Sequence, residues 1–164
     1  MIPTSAVLKA KLLIVDDQLA NVLLLERLLS SAGYCDISST QNPKEVIDLH
    51  RQYKYDLILL DLNMPEMDGF QVMEGLKAIE REGILPVLVI TAQPSEKLRA
   101  LKFGALDFLT KPFDIAEVLA RVQNLLLVRL LNVETQKLYE QVLVEQDLSV
   151  GCCTTCCPRP LQTG

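Results

Sequence analysis

The chain predicts an α/β fold built on a parallel sheet with helices on both faces, and three observations carry that prediction. Short apolar runs alternate with helically periodic segments five times along the first three quarters of the sequence. The strongest runs lack the polar–apolar alternation of a half-exposed strand, so they read as strands buried on both faces. Strand and helix in strict alternation imply right-handed crossovers and parallel pairing. A composition of 49% apolar and 23% charged residues is that of a globular chain, which excludes global disorder.

The elements follow in order. Leu12-Leu13-Ile14-Val15 is the first strand and ends at Asp16-Asp17. From Leu19 to Ser31, Val22, Leu23, Leu25, Leu28 and Leu29 recur at helical spacing, and Gly33 stops the helix. Cys35 to Thr40 is a weaker strand. Asn42-Pro43 pairs an N-cap with proline at the first helical position and opens a helix to about residue 52. Leu57-Ile58-Leu59-Leu60 is the third strand, ending at Asp61, and helical pattern runs from Phe70 to Arg81. Val87 to Ile90 is the fourth strand, ending at Thr91. A helix from Ser95 to Phe103 stops at Gly104. Asp107 to Thr110 is a short fifth strand before Lys111-Pro112, and from Asp114 the pattern stays helical to about Glu145.

Several function classes are excluded early. No apolar run approaches the roughly 20 residues that span a bilayer, so no membrane association is expected. Met1-Ile2-Pro3-Thr4-Ser5 has no basic start, and Lys9 and Lys11 interrupt the first apolar stretch, so a secretory signal is not expected. The net charge of -5, with no basic block, makes nucleic-acid binding by this chain a poor expectation. Of five cysteines only Cys35 lies in the body, so the core needs no disulfide and suits a reducing, cytoplasmic compartment.

In open parallel sheets the functional crevice lies outside the carboxyl ends of the strands. Those ends hold Asp16-Asp17, Asp61, Thr91 and Lys111. Each alone could be a cap or a solvated loop residue; together they bring acid, hydroxyl and amine to one crevice. Two carboxylates about 5 Å apart at an effective dielectric near 20 repel by roughly 3 kcal/mol, so three of them need a cation. Hard oxygen ligands with open positions fit Mg²⁺. A lysine and a threonine beside a metal-bound carboxylate suit a phosphoryl group in transfer, and the carboxylate itself can become an aspartyl phosphate.

These residues sit in signatures that strongly resemble the receiver domain of bacterial two-component response regulators: LLIVDD at 12–17, LILLDLNMPEMDGF at 57–70, VLVITAQ at 87–93 and GALDFLTKPF at 104–113. The resemblance covers residues 10–126 and implies a flavodoxin-like, doubly wound (βα)5 three-layer fold with strand order 2-1-3-4-5. It implies that Asp61 is the phosphoacceptor, that Asp16, Asp17, Asp61 and the Asn63 carbonyl bind Mg²⁺, and that Thr91 and Lys111 contact the phosphoryl group. It further implies a cis peptide at Lys111-Pro112, Phe108 as the switch aromatic, and Asn63 and Gln93 as tuners of dephosphorylation. Gly69 matches the loop after the acceptor, where glycine reaches backbone angles closed to other residues. The partner implied is a sensor histidine kinase or phosphotransfer protein, and the chain is expected to signal rather than to turn over a substrate. One departure is that Thr91 to Gly104 is shorter than usual in that family, which touches the switching segment and not the acceptor.

Two alternatives compete for the same acid. An aspartate-nucleophile phosphatase would want a second Asp two residues after Asp61 as general acid, and Asn63 stands there. A phosphorylation-independent interaction module would keep the acids only structurally. His50, the sole histidine, is expected at the surface.

The remainder divides into residues 1–9 as an N-terminal tail, 127–148 as a helical extension and 149–164 as a Cys-rich tail. A helix from Asp114 to Glu145 is roughly 48 Å long, so its later turns must project. Ile115, Val118, Leu119 and Val122 are placed to pack on the sheet. Val128, Leu131, Thr135, Leu138 and Val142 then form a short seam at 3- and 4-residue steps, which points to a homodimer or to a stalk feeding an output domain. Cys152-Cys153-Thr154-Thr155-Cys156-Cys157 lacks the spacing of a structural zinc site and resembles a biarsenical-dye tag without its central Pro-Gly; the tail is expected to be disordered.

Overall fold

The computed structural model describes residues 4–80 and 84–156, with side chains through residue 145. Five parallel strands, β1 (Lys11–Val15), β2 (Asp36–Thr40), β3 (Leu57–Asp61), β4 (Val87–Thr91) and β5 (Asp107–Thr110), form one sheet in the order β2-β1-β3-β4-β5. Every residue of β3 and β4 is buried, which is why both read as unbroken apolar runs. No residue of the edge strand β2 is fully buried, and its Asp-Ile-Ser-Ser-Thr run carries the weakest strand signal.

Alternation along the strands divides the core in two. Leu12, Ile14, Leu57, Leu59, Leu88 and Ile90 face α2 (Leu19–Ser31) and the final helix α6 (Ile115–Cys156). Leu13, Val15, Ile58, Leu60 and Val89 face α3 (Val46–Tyr53), α4 (Gly69–Ile79) and α5 (Lys97–Lys102). Each fully buried leucine contributes about 1.5–3 kcal/mol, so the two faces hold the three layers together without a disulfide.

Five expectations need correction. Residues 4–8 are a short helix, α1 (Thr4–Leu8), not a free tail: Val7 is buried in the same core as Val118 and Val122, and the Leu8 carbonyl accepts from the Cys35 amide at 3.2 Å. Gly69 has no positive φ; it is needed for space, since a Cβ there would lie 2.8 Å from the Asp61 carbonyl oxygen. The left-handed glycines are Gly33 and Gly104, which follow the ends of α2 and α5. Ile115 is exposed, and the helix packs instead through Val118, Val122, Leu125 and Leu126.

The fourth correction concerns His50, which is 3% exposed. Its Nδ1 accepts from the Tyr55 amide at 3.2 Å and its Nε2 lies 3.1 Å from Glu80 Oε2. A polar ring can be buried where both nitrogens find partners, and one of those partners, Glu80, comes from thirty residues away. The fifth is the end of α6, which passes Glu145 and continues through Cys156, so the first part of the Cys-rich segment has a helical backbone. Cys157 to Gly164 lie outside the described residues. Among the described residues no helix is long and apolar enough to cross a membrane.

Candidate functional site

The acids gather at the carboxyl end of the sheet because β1 and β3 are neighbours in register. Val15 pairs with Leu60, so the residues that follow, Asp16 and Asp61, leave the two strands side by side. Carboxylate oxygens of Asp16, Asp17 and Asp61 all lie within 4.8 Å of one another. Asp16 and Asp61 are almost wholly buried, at 1% and 3% exposure. β4 brings Thr91 to the same end, and the Lys111 amide donates to the Thr91 carbonyl at 2.9 Å, which carries the lysine in from β5. The Lys111–Pro112 peptide is cis.

One cation serves this group. Lys111 Nζ is 3.2 Å from Asp16 Oδ2 and 3.4 Å from Asp61 Oδ2. Asp16 Oδ1 also accepts from the Gln18 amide at 2.9 Å, and Asp61 Oδ1 from the Asn63 amide at 3.3 Å. Burial pushes the Asp61 carboxyl above the ordinary aspartate value; the Lys111 ammonium opposes this and the Asp16 charge adds to it. Asp17 Oδ1 is buried with no hydrogen-bond partner among the described residues. A buried carboxylate oxygen left without a donor is costly. Three hard oxygen donors, one of them orphaned and together exceeding the single ammonium in charge, fit a divalent cation such as Mg²⁺.

The other expected residues are arranged less directly. The Thr91 hydroxyl is fully buried and donates to Glu96 Oε2 at 2.7 Å rather than toward the acids. Gln93 meets Thr91 only through its backbone, whose amide donates to the hydroxyl at 3.0 Å and whose carbonyl accepts from it at 3.4 Å, while the residue itself is exposed. Phe108 is half-buried on β5, with Lys97 Nζ 4.5 Å from its ring centroid and the Arg121 guanidinium at 5.8 Å. Reading the strand ends missed Glu96 and Lys97, which engage the hydroxyl and the aromatic from the turn of Pro94–Glu96 and the first residue of α5.

A second polar group lies at the opposite, amino end of the sheet. Arg129 of α6 reaches Glu80 Oε1 at 3.1 Å, Asp56 Oδ1 at 3.9 Å and the Ile84 carbonyl at 3.0 Å. Burial alone would raise the Glu80 carboxyl, but the His50 hydrogen bond and the Arg129 charge outweigh it and hold the carboxyl below the ordinary glutamate value. This network borders an open cavity of about 520 Å³ between α3 and α6.

Residues 12–123 match the family model described as the response regulator receiver domain. The chain is 42% identical over 118 residues to the DNA-binding dual master transcriptional regulator RpaA of Synechocystis, covering 71% of this chain and 48% of that protein. It is 37% identical over 112 residues to the cell cycle response regulator CtrA of Brucella ovis, covering 68% and 48%. The chain thus spans about half the length of the curated relatives it matches. Among solved structures it resembles the chemotaxis protein CheY4 of Vibrio cholerae, with a TM-score of 0.66 and 28% identity over 71% of this chain and 98% of that one. It also resembles the receiver domain of a sensor histidine kinase of Pseudomonas aeruginosa, solved with a magnesium ion coordinated in the active site cleft. There the TM-score is 0.66, with 27% identity over 72% and 98%.

Proposed function

The chain belongs to the response regulator receiver domain family, and from that premise we propose that it accepts a phosphoryl group from a phosphohistidine donor onto Asp61. The observation that carries this reading is the buried Asp61 carboxylate set between Lys111 and the carboxylates of Asp16 and Asp17. A carboxylate oxygen of Asp61 attacks phosphorus, the P–N bond breaks, and its electron pair leaves with the donor imidazole. Asp16, Asp17, Asp61 and the Asn63 carbonyl are the groups to hold Mg²⁺, which when bound would neutralise phosphoryl oxygens. Lys111 supplies a second positive charge to those oxygens, and Thr91 would supply a hydrogen bond once its hydroxyl is free. Asn63 and Gln93 would set the access of water to the acyl phosphate, and Phe108 would follow Thr91 in switching. The partner that supplies the phosphoryl group is a sensor histidine kinase or a phosphotransfer protein, in the cytoplasm.

The change at Asp61 is read out through α5, β5 and α6. Beyond Arg129, α6 presents Leu138 and Val142, each at least half exposed, on the side already begun by Val128 and Leu131. This row supports pairing with a second copy or continuation into an output domain. Light scattering at tens of micromolar, with and without a phosphate mimic, checks the first; a monomer in both conditions rejects it.

The test of the site is direct. Incubation with acetyl phosphate and Mg²⁺ should add the mass of one phosphate, and Asp61→Asn should abolish the gain. No gain in the unaltered protein, or an equal gain in the variant, rejects the reading in favour of a phosphorylation-independent interaction module.

A further inference from the structure

Two strand ends carry the same short pattern. Thr40-Gln41-Asn42-Pro43-Lys44-Glu45 closes β2, and Thr91-Ala92-Gln93-Pro94-Ser95-Glu96 closes β4. They fold alike. The third residue's amide donates to the threonine hydroxyl, at 3.1 Å from Asn42 and 3.0 Å from Gln93. Proline then opens a short 3-10 turn, and the glutamate that ends it accepts from the same hydroxyl.

The two differ in strength and in place. Thr40 to Glu45 is 3.3 Å, and Glu45 is exposed. Thr91 to Glu96 is 2.7 Å, with Thr91 fully buried and Glu96 half-buried. An O–H···O⁻ bond of that length is charge-assisted and belongs to the stronger class. A threonine hydroxyl has one proton, so a proton given to Glu96 is withheld from an oxygen at Asp61. Ile90 pairs with Asp61 across the sheet, which puts Thr91 one position beyond the acceptor. The next residue, Lys97, sits over the ring of Phe108.

We propose that Glu96 is a positioning residue that restrains phosphorylation of Asp61 by holding the Thr91 hydroxyl away from the incoming phosphoryl group. The proposal rests on Asp61 being the phosphoacceptor. Glu96 takes no part in bond making; it competes for one hydrogen-bond proton, and that competition must be lost before Thr91 can serve the phosphoryl oxygens. The β2 corner shows the same motif with its hydroxyl bond on an exposed glutamate and its Thr40 carbonyl accepting from the Asp16 amide at 3.4 Å, and Glu45 supplies the control.

The experiment follows the rate of phosphate gain by intact mass, using the full chain with acetyl phosphate and Mg²⁺, with circular dichroism melts to show that each variant is folded. Glu96→Ala should label about fivefold faster, the scale of losing one charge-assisted hydrogen bond that is partly open to solvent. Glu96→Gln should gain less, because an amide oxygen still accepts. Adding Glu96→Ala to Thr91→Ala should give no further gain, since the effect passes through Thr91. Glu45→Ala should label at the unaltered rate. A rate for Glu96→Ala at or below that of the unaltered protein overturns the proposal. So does an equal gain in the Thr91→Ala background, or an equal gain from Glu45→Ala, either of which marks a loosened turn. If Glu96→Ala does not fold, an unchanged rate in Glu96→Gln overturns it. Failure of the unaltered protein to label, or labelling that survives Asp61→Asn, instead removes the phosphoacceptor reading beneath it.

Discussion

The two ends of the sheet handle buried charge in opposite ways. At the amino end, Glu80 and Asp56 meet Arg129, and His50 completes the network with both ring nitrogens engaged. At the carboxyl end, three carboxylates share one ammonium among the described residues, and one buried oxygen has no donor there. The first arrangement pairs its charges within the protein, although Arg129 Nε is buried without a hydrogen-bond partner among the described residues, and it ties α6 to the base of the domain. The second leaves negative charge in excess of its ammonium among the described residues, which is the difference between a candidate site and a clamp. Assembling like charges is locally costly, which suits the cation and the phosphoryl group proposed for this site.

The contrast makes predictions of opposite sign. The largest effect belongs to Lys111→Ala, which should slow labelling by acetyl phosphate by about a hundredfold, the scale of removing one preorganised charge from a transfer site. Intact mass against time measures it. Next, Asp17→Asn should weaken Mg²⁺ binding by about tenfold or more, read by calorimetric titration. Asp61→Asn should then stabilise the metal-free protein by about 1–2 kcal/mol in urea melts, because it removes one of three mutually repelling charges. Glu80→Gln should do the reverse, destabilising by about 1–2 kcal/mol after allowance for its partial exposure, with labelling of Asp61 unaffected.

The pH dependences also run in opposite directions. The Asp61 carboxyl is raised on folding, so the folded state binds its proton more tightly. Its contribution to stability is complete below the unfolded aspartate value and is lost as pH rises through the folded one. The Glu80 carboxyl is lowered on folding, so its contribution is present above the ordinary glutamate value and is lost as pH falls through the folded one. Comparing urea melts of Asp61→Asn and Glu80→Gln across the acid range separates the two slopes. Finding the same sign in both would break the contrast.

Most of the sheet was legible because β1, β3 and β4 are buried on both faces, and burial of that kind writes itself as consecutive apolar residues. The acids, Thr91 and Lys111 were legible for a related reason: a parallel sheet places its strand ends together, so position along a strand stands in for position in space. What escaped depends on partners far away in sequence. His50 looks like a surface histidine until Glu80, thirty residues on, is folded against it. α1 looks like a tail until α6 covers Val7. The Thr91–Glu96 bond is local, and its signal was present twice in the chain. It went unread because a repeat of six residues with three fixed positions is short enough to pass as coincidence.

The clamp at Arg129 gives the final helix a mechanical character. Val118, Val122, Leu125 and Leu126 seat its first turns on the sheet, Arg129 fastens it at the amino end, and the residues from Lys137 to Glu145 are exposed. The helix is therefore a lever whose fulcrum lies about a third of the way along it. From Arg129 to Glu145 is roughly 24 Å of rigid rod, so a tilt of about 10° at the fulcrum carries Glu145 sideways by roughly 4 Å. Rearrangements too small to alter the core can thus arrive at the far end as displacements comparable to a side chain's contact distance.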